Sequence, residues 1–279
     1  MSEPKDAAAP LAEWLLARYG AEVAVVAENE TLRSMARHRT MRHYTDRAVP
    51  LDLLRELAAV ALAAPSKSDL QQADIVIVAE AGQRAALAEL LPDNPWAKRA
   101  PGFLVFCGNN RRQRRVHELR GHAFVNDHLD AFFNPAVEAG IVLGSFVVAA
   151  ESVGLGTCPI SAIRNRPEEV AAVLGLPAHV FPVAGLCVGW PSGFTAMTPR
   201  LRPAATVHVD RYDGAGLDGD IAEYDARRDV VKPVRARRRD DLFGAEAPYT
   251  WSEDKARQYA QPERTGWGAF VRRIGFRLD

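Results

Sequence analysis

Cysteine is scarce in this chain, with only Cys107, Cys158 and Cys187 among 279 residues. An odd number at such wide spacing gives neither a disulfide framework nor a zinc-ligand pattern, and the apolar, strand-like surroundings of all three read as buried thiols. No metal site is expected. Net charge is missing too, because 35 Lys and Arg balance 35 Asp and Glu, so nothing global points to nucleic acid. The N-terminus, MSEPKDAAAPLAEWLLARYG, has no basic region followed by a long apolar core, so a secretory signal is not expected and a cytoplasmic protein is. Long apolar runs are absent as well. Ile141 to Val153 is nearly all apolar or small, but Glu138 and Glu151 bracket an apolar run of only about a dozen residues, short of the roughly 18–20 that span a bilayer. The chain also lacks a GxGxxG opening a strand–helix unit, a Walker lysine motif and a serine in a GxSxG elbow. No internal repeat is found.

What is present is ordinary globular chemistry, 48% hydrophobic and 25% charged, with enough length for one large core. The stretch from Ala136 to Ile163 reads as its centre. Small and apolar residues suit a helix buried on most of its surface, Gly154 and Gly156 end it, and Thr157 to Ile160 forms a short strand. Around it the pattern predicts helices over Pro10 to Tyr19, from Glu30 to Arg37, over Leu53 to Ala63, Gln83 to Leu91 and from Pro167 to Leu174. Strands are expected at Ile75 to Ala79, Phe103 to Cys107 and within Phe181 to Trp190, with a small one at Val207 to Val209. Pro92 to Trp96 reads as a turn, and the charged stretch Asn109 to Arg120 as a solvated excursion. Strands interleaved with helices argue for a mixed sheet covered by helices. From Asp213 onward the chain is rich in charge, glycine and proline and is expected to wrap over something rather than build a core.

Three stretches carry chemistry. Arg39 and Arg42 flank Thr40 at a spacing that lets two guanidiniums and a hydroxyl converge on one phosphate, each charge-assisted contact being worth roughly 1.5–3 kcal/mol; a solvated basic helix end is the alternative. Ser66, Lys67 and Ser68 follow a helix exit and either present hydroxyls and a charge to a ligand or simply form a turn. In the tail, Arg235, Arg237, Arg238 and Arg239 form a basic run ahead of Tyr249-Thr250-Trp251-Ser252.

As an ordered set, HRTMRHYTDRAVP, APSKSDLQ, AAESVGLGTCPISAIRN, PVAGLCVGWPS and TPRLRP resemble the nitroreductase family of flavin enzymes. Within it they are closest to the NADPH-dependent oxygen-insensitive nitroreductase and flavin reductase group. The resemblance covers about Glu30 to His208. It implies an intertwined α+β homodimer with one FMN in each of two clefts at the subunit interface. His38, Arg39, Thr40 and Arg42 would hold the FMN phosphate and ring edge, Arg200 would complete the phosphate site, and Asn94 would reach the ring. Ser66, Lys67 and Ser68 would line the cofactor from the other subunit, and Pro159, Ile160, Ser161 and Ala162 would lie beside the isoalloxazine. Tail arginines clamp the 2′-phosphate of NADPH in that group, a place that Arg235, Arg237, Arg238 and Arg239 would take here. The chain departs from the family text at Ser161-Ala162, where a Gly-Gly pair is usual, at Thr198, where a lysine is usual, and at Asp69, where an aromatic is common. Asp69 facing the cleft would disfavour anionic aromatic substrates.

The resemblance therefore implies an N-terminal extension over 1–29, an FMN-binding domain over 30–208 and a wrapping extension over 209–279. It implies an FMN-dependent oxidoreductase that takes hydride from NADPH and passes it to a nitroaromatic, quinone or flavin in a ping-pong cycle. No side chain acts as acid or base, and nucleic acid and membrane are not expected partners. The rival reading keeps the fold and the bound flavin or nucleotide but loses turnover.

Overall fold

The apolar and polar stretches fold, among the described residues, into helices α1 (Leu11–Tyr19), α2 (Glu30–Ala36), α3 (Leu51–Leu62), α4 (Ala81–Glu89), α5 (Pro95–Arg99), α6 (Arg111–Arg120), α7 (Leu129–Ser152), α8 (Pro167–Leu174), α9 (Leu217–Val231), α10 (Asp240–Phe243), α11 (Trp251–Gln258) and α12 (Trp267–Arg273), with strands β1 (Ala73–Ile77), β2 (Gly102–Asn109), β3 (Gly156–Ile160) and β4 (Val180–Gly189). This computed structural model describes residues 3–193, 195–245 and 248–279. The chain divides into two units, Met1–Arg39 with Phe194–Glu263, and Thr40–Gly193 with Arg264–Asp279.

The second unit carries the sheet, in the order β1-β2-β4-β3. Where a mixed sheet is expected, each pairing among the described residues is antiparallel. The reason is that the helices between β1 and β2, and between β3 and β4, return the chain to the end of the sheet it left, so neighbours run in opposite directions. Alternation along β2 divides the interior. Leu104 and Phe106 face one core with Leu57, Val142 and Phe146, while Phe103, Val105 and Cys107 face another with Leu87, Cys158, Ile160 and Ile163.

Helix α7 is the crossover from the end of β2 to the start of β3. At 24 residues it is about 36 Å long at 1.5 Å per residue, enough to cross the sheet. It starts some twelve residues before the apolar stretch that marks it in the sequence. His128 caps its N-terminus by accepting from the Asp130 amide at 3.4 Å, and Pro135 is accommodated inside the helix. Its C-terminus closes when the Leu155 amide donates back to the Ala150 carbonyl at 3.0 Å. Glu138, Val142, Phe146 and Ala150 form its buried stripe at four-residue spacing. Leu129, Phe133, Val137 and Ile141 form an exposed stripe opposite, so the helix is less enclosed than its composition suggests. By length and composition α7 passes for a membrane span, with a window of mean hydropathy 1.6, yet its buried stripe packs on α3 and the sheet.

Three further expectations change. The stretch at Arg111–Arg120 is solvated as expected, with no buried residue, but is helix α6, Val207–Val209 is not a strand, and the tail builds α9 to α12. In α9 and α11 charges interrupt the apolar residues and leave no clear apolar face, and α12 is only seven residues long, which is why periodicity misses them. In the first unit, Trp14 and Tyr224 are buried, Trp251 meets Tyr224 edge-on at 4.8 Å, and the Tyr224 hydroxyl donates to the Pro199 carbonyl at 3.0 Å.

Phe146 has no exposed surface and meets Phe106 edge-on at 5.7 Å. Phe146→Ala should lower unfolding stability in urea by about 3–5 kcal/mol, whereas Leu119→Ala on the exposed face of α6 should stay within about 0.5 kcal/mol.

Candidate cofactor-binding site

The segment after the basic cluster is tied to the β3 edge of the sheet. The Met41 amide donates to the Thr157 carbonyl at 2.8 Å, Thr45 to Trp190 at 2.9 Å, and Ser192 to His43 at 3.0 Å. Two glycines make room for it: a Cβ on Gly156 would stand 2.6 Å from Met41 Cγ, and one on Gly189 would stand 2.8 Å from the Tyr44 ring. Tyr44, its hydroxyl donating to the Met41 carbonyl at 2.6 Å, has its phenol pKa pushed up by burial. Arg42, the next residue after Met41, is exposed with its guanidinium 5.1 Å from the Trp96 ring centre, two residues after Asn94. Asn94 caps α5 through its backbone, its carbonyl accepting from Ala97 at 2.8 Å.

At the end of β3 the placement is selective. Pro159 and Ser161 are exposed and Ala162 is half-buried, but Ile160 is buried in the core, so only its backbone is open to a ligand. Ser161 Oγ accepts from Arg264 Nη2 at 3.3 Å, and Asn165 Oδ1 accepts from Arg264 Nε at 2.9 Å. The Cys158 thiol has its pKa raised by burial, partly opposed by Arg42.

Ser66, Lys67, Ser68 and Asp69 lie at the other edge, in the loop that leads into β1. Ser68, Asp69 and Gln71 all have left-handed backbones, with φ of 52°, 56° and 50°, at a cost of about 1–2 kcal/mol each for residues with a Cβ. The loop is held from below by Glu138 of α7, which accepts from Ser66 Oγ at 3.1 Å, from the Lys67 amide at 3.1 Å, and from the Gln72 amide and side chain at 2.7 and 3.2 Å. Lys67 Nζ lies 3.5 Å from Asp130, and Asp69 is exposed, accepting from Gln71 Nε2 at 3.2 Å. Loop 66–72 and segment 159–162 are at opposite edges of a four-stranded sheet. Three interstrand spacings put them about 14 Å apart.

His38, Arg39 and Arg200 belong to the first unit, where cations gather around Thr198. Arg18 Nη1 donates to the Thr198 carbonyl at 2.6 Å, Arg200 Nη1 donates to the same carbonyl at 3.2 Å, and Lys232 Nζ donates to Thr198 Oγ1 at 3.3 Å. Arg18 also donates to the Ala36 and His38 carbonyls, and the Arg200 amide donates to the Arg18 carbonyl at 2.9 Å. Burial, and then the nearby Arg200 charge, pull the Arg18 pKa down to about 10. Arg39 stacks 5.6 Å from Trp14 and donates from Nη2 to Glu3 at 3.2 Å. Its Nε is buried with no hydrogen-bond partner among the described residues. Sequence reading misses Arg18 and Lys232 because the fold, not the local spacing, brings them to residue 198.

The tail arginines fall into two kinds. Arg237 pairs with Asp240 at 3.1 Å and lies over Tyr249 at 4.8 Å, and Arg238 pairs with Asp254 at 2.9 Å. Both are knitted to Arg257, which is buried and holds Glu253 at 2.6 Å, Asp240 at 2.8 Å and the Arg238 carbonyl at 3.0 Å. Arg235 and Arg239 make no side-chain hydrogen bond or ion pair among the described residues.

A sequence model described as the nitroreductase family matches residues 35–190, and one for its C-terminal domain matches residues 198–279. The chain is 36% identical over 200 residues to an FMN reductase [NAD(P)H] of Bacillus subtilis, covering 71% of this chain and 80% of that protein. Among solved structures it resembles B. megaterium NfrA2, with a TM-score of 0.81 and 35% identity over 90% of this chain and all of that one. It also resembles the NADPH:FMN oxidoreductase from Vibrio harveyi complexed with NAD+, with a TM-score of 0.76 and 28% identity over 88% and 98% of the two chains. With more than half its length inside the family match, and with the expected α+β architecture, this chain is a member of the nitroreductase family.

Proposed function

We propose that the protein is an FMN-dependent oxidoreductase, acting as a homodimer, that uses NADPH to reduce nitroaromatic, quinone or flavin acceptors. The observation that carries this reading is the cation cluster at Thr198. Arg18, Arg39, Arg200 and Lys232 gather there while Glu3 is the carboxylate that meets Arg39. A phosphate monoester matches that charge, and the orphaned Nε of Arg39 would gain an acceptor from it, so the residues present fit the FMN phosphate. Lys232 supplies an ammonium beside the residue where the family's lysine is usual.

FMN, when bound, supplies the two-electron chemistry, which the two substrates share by taking turns in one cleft. The side chains bind and orient. Arg39 and Arg200, with His38 and Thr40 beside them in sequence, hold the phosphate. Arg42, braced on Trp96, and the exposed surface from Pro159 to Ala162 flank the ring, with Asn94 at its edge. Ser66, Lys67 and Ser68 are assigned to the site of the partner copy, and their place at the opposite edge of the sheet, about 14 Å from segment 159–162, supports that assignment. The exposed stripe Leu129, Phe133, Val137 and Ile141 on α7 supports the same assembly, since an apolar face of that length is a natural place for a second copy to pack.

Removing the Lys232 ammonium tests the phosphate site. Lys232→Ala should raise the FMN dissociation constant about tenfold or more, the loss of one charge-assisted contact; unchanged affinity by fluorescence titration removes Lys232 from the site.

For the donor, Arg235 and Arg239, whose side chains have no hydrogen-bond or ion-pair partner among the described residues, are assigned to the NADPH 2′-phosphate, while Arg237 and Arg238 brace the tail. The purified protein should be yellow, bleach with NADPH and recover on adding a quinone. Arg235→Ala with Arg239→Ala should slow bleaching by NADPH at low concentration by about tenfold or more and leave NADH almost unaffected. A yellow protein that no reduced nucleotide bleaches contradicts the enzyme reading and favours a flavin carrier.

A further inference from the structure

Glu138 is a carboxylate in an apolar place. It heads the buried stripe of α7, four residues before Val142 and eight before Phe146, and is only 4% exposed. A leucine would suit that stripe better, since a buried charge is costly unless it is fully hydrogen-bonded. Its bonds are unusual in kind: the four donors already described all belong to loop 66–72, and the one lysine of that loop reaches Asp130 instead.

We propose that Glu138 is a positioning residue that sets the shape of loop 66–72 for the flavin; the inference rests on the FMN reading above. The two backbone amides it accepts, Lys67 and Gln72, bracket the three left-handed residues Ser68, Asp69 and Gln71. Ser66, itself donating to Glu138, accepts from the Gln71 amide at 2.7 Å and closes the loop on itself. Apart from Glu138 and Ser66, this backbone is held by Arg112 Nη1, which donates to the Gln71 carbonyl at the end of the loop, and by the Leu70 amide, which donates to the Lys67 carbonyl at 3.0 Å. Lys67, Ser68, Asp69 and Gln71 are exposed, so packing does not fix a conformation that residues with a Cβ avoid. A cavity of about 190 Å³ lined by Ser66, Gln71, Asp74, Arg112 and Glu138 leaves the loop room to relax once the clamp is gone. Gln72 extends the clamp inward, its carbonyl accepting from the Asn109 amide at 2.8 Å at the end of β2. The loop is thereby referenced to the sheet as well as to α7.

The two oxygens of Glu138 make the test specific. Oε1 accepts from the Lys67 amide and Oε2 from the Gln72 amide, so in Glu138→Gln the new NH2 confronts a backbone N–H whichever way the amide turns. The measurements are FMN affinity by fluorescence titration, hydrogen exchange of the 64–73 peptide in the flavin-free protein, and the unfolding midpoint. Glu138→Gln should raise the FMN dissociation constant about tenfold and speed exchange in that peptide, flavin or no flavin. Adding Gln71→Gly, which removes the cost of one left-handed residue, should recover at least about threefold of the lost affinity. If Glu138→Gln does not fold, Glu138→Asp, one methylene too short for the clamp, takes its place with the same readouts. A variant that unfolds more easily but binds FMN as the wild type does, with unchanged exchange in the loop, overturns the positioning role and leaves Glu138 a core residue. A wild-type protein that takes up no FMN overturns the flavin reading itself, and the role in it with it.

Discussion

The width of the sheet governs what one copy of this protein can do. Four strands in the order β1-β2-β4-β3 leave the loop entering β1 and the segment leaving β3 at opposite edges, and no side-chain rearrangement brings them together. Helix α7 enforces that width, since its buried stripe packs across the sheet. Its exposed apolar stripe then faces away from the sheet. On the proposed reading, a flavin that meets both loop 66–72 and segment 159–162 takes them from two copies, which would make strand order a determinant of assembly.

Charge does the remaining work, and in an economical way for a chain of zero net charge. Two groups of cations differ in what they are bound to. Arg237, Arg238 and Arg257 are bound to Asp240, Asp254 and Glu253. The cluster at Thr198 instead has its guanidiniums on backbone carbonyls, which orient a cation without neutralising it. Glu3 meets Arg39 in this structure, and a carboxylate there is a weak stand-in for the doubly charged phosphate that the cluster suits.

Much of the fold was legible in the sequence because periodicity reports burial. The strands around residues 75, 105, 158 and 185 and the helix Pro167–Leu174 follow from it, whereas the α+β class came with the family resemblance. It failed where burial and secondary structure part company. Helices α9 and α11 are mostly polar, and α6 carries five arginines, so none of them shows an apolar face. The start of α7 is hidden because Pro135 looks like a break: an interior proline loses one amide bond and crowds the carbonyl four residues before it, at a cost of about 3 kcal/mol, yet α7 continues through it. The proposed site was read as motif text, with Arg39, Arg42, Ser66 and Pro159 each taken from its own stretch. Residues that act from a distance were not. Lys232 lies 34 residues from Thr198, and Glu138 reads in sequence as the charged edge of an apolar run.

The shared site is tested most directly by a mixed dimer. One chain carries Arg42→Ala, the other carries Ser66→Ala with Ser68→Ala, and differently tagged copies are co-expressed so that the heterodimer is purified alone. A site built from two copies collects both lesions in one cleft and leaves the other intact, so the heterodimer should bind one FMN at wild-type affinity and a second far more weakly. A site built within one copy damages both clefts, and a heterodimer with no wild-type site would contradict the shared arrangement.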